Sequence, residues 1–228
     1  MRFNNFPPGV AAKIDEPVAA VTYIGHDGST TSPGNPTNLN GFSIGPAATN
    51  RQVVLLLHYK VTSGVASGML VFALDGISAD HYIHSADGDR GCAIGVWDKP
   101  TGTTASIYLY FVNSNVDHYE VGGYRVNKAG IVRVQDSASN STSDASTPVT
   151  CDAYSLPGGA AVGAVTGVWS MSTPTLTDAA VDYADNISGD GDTQGFGLSG
   201  DTTTRGTKTL SATRASGGSA AVVLFTFR

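Results

Sequence analysis

Apolar residues gather in short runs separated by turn-forming residues, and no stretch carries them at helical spacing. The central segment 51–76 reads RQVVLLLHYKVTSGVASGMLVFALDG, two apolar runs (53–61 and 69–74) around a small polar connector. In the first run Val53, Leu55, Leu57, Tyr59 and Val61 share one face, and Val54, Leu56, His58, Lys60 and Thr62 the other. Both faces are apolar at the start, and polar residues enter one face from His58 onward. This predicts a strand that begins under cover and leaves toward solvent, paired with 69–74 as a central hairpin.

Further strands are predicted at 18–25, 42–44, 77–84, 92–99, 105–113, 119–126 and, weakly, 131–135. Segments 149–156 and 160–169 read as a hairpin across Pro157-Gly158-Gly159, 176–183 is marginal, and 207–213 and 220–227 close the chain. The last run, AAVVLFTF, is apolar enough for the middle of a sheet. Gly122-Gly123 inside a strand signals a bulge or a close backbone approach. Segments 27–40, 136–147 and 185–200 read as turns and polar tips. The expected fold is an all-β, two-sheet antiparallel β-sandwich of jelly-roll type, with roughly a dozen strands. No repeat of fixed period is visible. Residues 18–228 are read as a single β-sandwich domain, and 1–17, with Phe3, Phe6, Pro7, Pro8 and Pro17, as an extended N-terminal arm. The aromatic residues of that arm need a covering surface, either the parent sandwich or a partner.

Composition narrows the partners. The chain has 228 residues, 28 of them glycine, and a net charge of −6, which disfavours nucleic acid and anionic membrane surfaces. No apolar run approaches a membrane span, and MRFNNFPPG lacks the apolar core of a signal peptide. Cys92 and Cys151 each sit in an apolar run, as buried thiols or as one disulfide.

The candidate chemistry is sparse. GFSIG at 41–45 matches the pattern of a nucleophile elbow around Ser43, but the chain runs directly into a strand with no room for the helix that motif requires. Only two glutamates occur, Glu16 in the arm and Glu120 within a strand, so the facing carboxylates of a glycosidase are not evident. The aspartates fall mostly in turns. Two Asp-rich loops, 80–89 and 185–192, offer oxygen ligands to Ca²⁺, with Asp190 and Asp192 the better placed; no other cofactor is expected. His81 and His84, three apart on a strand, point to opposite faces and do not make a zinc pair. Trp97 and Trp169, with Tyr108 and Tyr110, are either core residues or a sugar-stacking platform.

RQVVLLLHYKVTSG, CAIGVWDKPTGTTASIYLYF and the terminal SGGSAAVVLFTFR together resemble virion structural proteins of tailed bacteriophages. The resemblance implies a β-sandwich attached to the particle as a capsid decoration, head-fibre or tail protein, and it carries no catalytic residue. Its partners would be other virion proteins and further copies of itself, with Phe3, Phe6, Pro7 and Pro8 as the attachment contacts. The rival expectation is a carbohydrate-binding, lectin-like module for host-surface glycans, and an enzyme comes third.

Overall fold

The computed structural model describes residues 19–29, 34–62, 69–112, 116–127, 132–144, 147–168, 170–187, 192–214 and 218–228. The first half of the chain forms β1 (Ala20–Ser29), β2 (Thr37–Ser43), β3 (Arg51–Val61), β4 (Met69–Leu74), β5 (Ile77–Ser78), β6 (His81–Asp87), β7 (Arg90–Asp98), β8 (Thr104–Phe111) and β9 (Val116–Asn127). The second half forms β10 (Val134–Thr142), β11 (Val149–Ser155), β12 (Gly159–Val168), β13 (Thr175–Leu176), β14 (Ala180–Asn186), β15 (Thr193–Thr202), β16 (Gly206–Ala212) and β17 (Ala220–Phe227). Among the described residues no helix is long and apolar enough to cross a membrane. The expected all-β sandwich is present, and it is built twice.

The strands make four antiparallel sheets. Sheet I has the order β2-β8-β4-β5, sheet II β1-β9-β3-β7-β6, sheet III β10-β17-β12-β15-β14 and sheet IV β11-β16-β13. Every ladder joins strands of the same half. Leaving out the two-residue β5, the strands β1 to β9 taken in chain order correspond one for one to β10 to β17, and sheets I and II then have the same order as IV and III. The topology therefore repeats although the sequence shows no period. The offset between matching strand starts falls from 114 residues (Ala20 to Val134) to 104 (Val116 to Ala220), so connector lengths blur any fixed spacing.

Three apolar cores stack the sheets in the order I–II–III–IV. Leu55, Leu57, Phe72, Trp97, Ile107 and Leu109 fill the space between I and II. Val54, Leu56, Ile94, Val162, Val223 and Phe225 fill that between II and III. Val165, Phe196, Leu198, Leu210, Val222 and Leu224 fill that between III and IV. The two middle sheets are thus covered on both faces, which is why β3, β12 and β17 read as continuous apolar runs. The outer sheets alternate cleanly, as in β11, where every second residue is exposed.

This layering corrects several expectations. β3 does not leave toward solvent at His58, because sheet III covers that face; His58 and Tyr59 are fully buried. β3 and β4 are not a hairpin, since β3 pairs with β7 and β9 while β4 lies in the opposite sheet with β8 and β5. The 149–156 and 160–169 pair is likewise split between sheets IV and III. The polar segment 136–147 contains most of edge strand β10, and the turn-like 185–200 contains most of β15, an interior strand of sheet III. β8, whose apolar residues Ile107, Leu109 and Phe111 opposite Tyr108, Tyr110 and Val112 suggest cover on both faces, has one covered face only: Tyr108 and Tyr110 stand half-buried on the outer surface of sheet I. Cys92 and Cys151 are both buried free thiols, in different cores.

Candidate functional site

The seam between sheets II and III is apolar along most of its length, but near the β1 and β14 edges it becomes polar. Two strand irregularities produce this. β1 carries a bulge between Tyr23 and Gly25, so Tyr23 pairs with Tyr124 and His26 with Gly122. In a regular strand residues 23 and 26 would face opposite ways; the extra residue turns both toward sheet III. β14 carries its own bulge between Val181 and Tyr183, after which Tyr183 lies opposite Gly197 and Asp185 opposite Gly195.

Glycines make the room. A Cβ at Gly122 would lie 2.1 Å from the Tyr183 hydroxyl, one at Gly197 2.0 Å from the Tyr183 ring, and one at Gly195 2.9 Å from the His58 ring and 3.1 Å from Glu120 Oε2. The Gly122-Gly123 signal thus marks a close approach, and the irregular pairing lies in the neighbouring β1.

Into this space project His26, His58, Glu120, Tyr23, Tyr124, Tyr183 and Asp185. His58 is bound at both nitrogens, Nδ1 to Thr166 Oγ1 at 2.7 Å and Nε2 to the Tyr183 hydroxyl at 2.8 Å. Tyr23 bonds through its hydroxyl to His26 Nδ1 and stacks on Tyr183, with ring centroids 5.5 Å apart. His26 stacks on the same Tyr183 ring at 5.0 Å. The other His26 nitrogen, Nε2, lies 3.8 Å from Glu120 Oε1 and 3.6 Å from Asp185 Oδ2. Glu120 is buried, and among the described residues neither of its carboxylate oxygens has a hydrogen-bond partner. Burial, with Asp185 adding to it, lifts its carboxyl to about 8. Burial, with His26 adding to it, pushes His58 down to about 3. His84, bonded to the Tyr59 hydroxyl on the far side of sheet II, is pushed down to about 4 by burial.

These shifts set a pH profile. Between the folded values and the unfolded 6.5, both histidines are protonated only in the unfolded chain. Their stabilising contribution is complete above about pH 6.5 and is lost as pH falls toward 4. Glu120 has the opposite sign. It is neutral when folded and charged when unfolded between 4.5 and about 8, so its contribution is lost as pH rises through that window. With EDTA present, the urea midpoint is expected to be highest near pH 6.5, and Glu120→Gln should flatten the decline above it. A midpoint still rising from pH 6.5 to 8 in the native protein would contradict this assignment.

The other sequence candidates lie elsewhere. Phe3, Phe6, Pro7, Pro8, Trp169 and Asp190 fall outside the described residues. Asp192 is held by cations, its Oδ2 2.7 Å from Lys60 Nζ and 3.1 Å from Arg90 Nη2, while Oδ1 accepts from Thr193. In the other Asp-rich loop, Asp80 accepts from the Asp98 amide and Asp89 pairs with Arg90. Trp97 is buried, donates its Nε1–H to Ile77 O at 2.9 Å and packs edge-on to Phe72. Ser43 is exposed at the end of β2, and the turn after it serves structure. Gly41 and Gly45 adopt φ of 74° and 70°, and the buried Arg51 guanidinium binds the carbonyls of Ile44, Gly45 and Pro46. Sequence reasoning singled out Glu120 but gave it no partner. His26 carried no signal, and Asp185 stood out only as the first residue of an Asp-rich loop, because only the two bulges and the stacking of the halves bring them to Glu120.

No family model matches the chain, and no curated protein matches it. Among solved structures, the crystal structure of Cucumber Necrosis Virus aligns over 92% of this chain and 94% of that chain, with 13% identity and a TM-score of 0.27. A likeness that loose says nothing of this chain's partners or activity.

Proposed function

We propose that this chain is a non-enzymatic structural component of a bacteriophage virion, a capsid decoration, head-fibre or tail-associated subunit attached through residues 1–17. The observation that carries the reading is the pair of topologically matching jelly rolls stacked through an aliphatic core. Such rolls serve capsid and lectin domains alike, so the architecture alone does not choose between them. Two further points favour the virion role. The sequence resembles tailed-phage virion proteins, and the buried Trp97 offers no ring face to a sugar. The outer faces of sheets I and IV, including Tyr108, Tyr110 and Tyr154, are surfaces open to contacts with other virion proteins or with further copies of the chain.

The arm supplies the attachment. Phe3 and Phe6 are followed by Pro7-Pro8, which stiffens the chain and lowers the entropy lost on docking. Burying each phenylalanine contributes roughly 1.5–3 kcal/mol before ordering costs. Deleting residues 2–9 is expected to leave a folded protein whose melting temperature is nearly that of the native chain, and to abolish incorporation into particles. Incorporation at the native level by the deleted protein, or its failure to fold, would overturn the attachment role.

A further inference from the structure

We propose that His26, Glu120 and Asp185 form a binding site for a divalent first-row transition ion, with zinc the best match, that clamps the two halves of the chain together at the seam between sheets II and III. His26 Nε2, Glu120 Oε1 and Asp185 Oδ2 come from three strands, two in the first half and one in the second, and one ligand atom from each lies within 4.8 Å of the other two. The separations of 3.6 and 3.8 Å from His26 Nε2 are close to the roughly 3.3–3.6 Å that tetrahedral ligands keep at zinc bond lengths.

Two observations beyond the clustering point to a ligand. Glu120 has a side chain only 4% exposed, is aimed into the cluster, and has no hydrogen-bond partner for either oxygen among the described residues. A buried carboxyl group with no hydrogen-bond partner is costly, and a cation that displaces its proton is what would satisfy it. The second observation is the orientation of His26. Its Nδ1 is engaged by the Tyr23 hydroxyl, and its ring is stacked on Tyr183, which leaves Nε2 directed at the two carboxylates. A partner on the far nitrogen fixes the tautomer in the way metal-bound histidines require.

The donor set selects the ion. One imidazole and two carboxylates suit zinc and its neighbours, whereas calcium takes six to eight oxygens, more than this cluster supplies. Exposure of His26 and Asp185, at 39% and 51%, gives the ion an entry path and leaves room for water in the remaining position. The site does not depend on the virion reading, because it concerns only how the two halves are joined.

The test uses the full chain after exhaustive dialysis against EDTA. Titration with zinc chloride in a calorimeter should show one ion per chain, and cobalt(II) should give visible d–d absorption from the same site. Zinc should raise the melting temperature, while calcium at equal concentration should not. Asp185→Asn alters an exposed side chain and should keep the metal-free melting temperature, whereas His26→Gln gives up the stack on Tyr183 and is compared with its own metal-free value. Each should also lose at least about tenfold in zinc affinity, together with the zinc-induced rise. Absence of zinc binding by the native chain, or binding at native affinity by both variants, would overturn the proposal.

Discussion

Arg51→Met is expected to lower stability by about 3–5 kcal/mol, the largest effect of any single substitution considered. Arg51 is 2% exposed and reaches main-chain carbonyls on two separate segments. Its Nε donates to Lys99 O at 2.6 Å, Nη1 to Ile44, Gly45 and Pro46 at 3.3, 2.8 and 3.0 Å, and Nη2 to Thr101 and Gly102 at 2.7 and 3.1 Å. The planar fork therefore ties the turn after β2 to the turn between β7 and β8. Methionine preserves much of the packed stem but supplies no donors, leaving carbonyls at the end of the sandwich to be rescued by water or left unpaired. Hydrogen bonds from a charged group contribute about 1.5–3 kcal/mol each when lost singly, and partial rehydration reduces the sum. Arg51→Lys should lose an intermediate amount, since one ammonium cannot span both turns. Urea unfolding read by tryptophan fluorescence checks this. A loss below about 1 kcal/mol for the methionine variant would show that water replaces the guanidinium freely.

Gly197→Ala should be nearly as damaging, at about 3 kcal/mol, for the opposite reason: it adds an atom where none fits. The new Cβ would lie 2.0 Å from Tyr183 Cε1 and 2.5 Å from the Tyr124 hydroxyl. Gly197 is held between Ala164 of β12 and Tyr183 of β14, so the backbone cannot retreat without breaking a ladder. The ring of Tyr183 must move instead, and its hydroxyl then leaves His58 Nε2, stranding a buried imidazole nitrogen. In a Tyr183→Ala background the same glycine substitution should cost at least about 1 kcal/mol less, because the two residues are in contact. Strict additivity of the two substitutions would locate the strain elsewhere.

How much of this was legible in the sequence depends on which faces are covered. β3 and β17 could be read directly, because burial on both faces demands unbroken runs such as VVLLL and AAVVLF. The same feature misled on direction: His58 looks like an exit to solvent until sheet III is placed over it. β15 was hidden by Gly195, Gly197 and Gly200, which resemble turn residues but here admit His58, Tyr183 and Ala179 at close range. β10 was hidden because an edge strand with few buried positions needs little apolar sequence. Pairing was the least legible property, since neighbours in the chain cross between sheets instead of forming hairpins. The polar cluster shares that fate. Glu120 stands out as a glutamate inside a strand, yet its companions His26 and Asp185 are placed by bulges that add one residue each and leave no compositional trace.

The confinement of every backbone ladder to one half has a consequence for synthesis. β9 completes sheet II before β10 has been made, so the amino-terminal roll can close while the rest of the chain is still being translated. At that moment Val54, Leu56, Ile94, Val96 and Val126 form a bare greasy wall, which only sheet III will later cover. The nascent protein therefore carries a temporary sticky face, and the interval before the carboxy-terminal roll arrives is when it is most exposed to clumping with its neighbours on the same message.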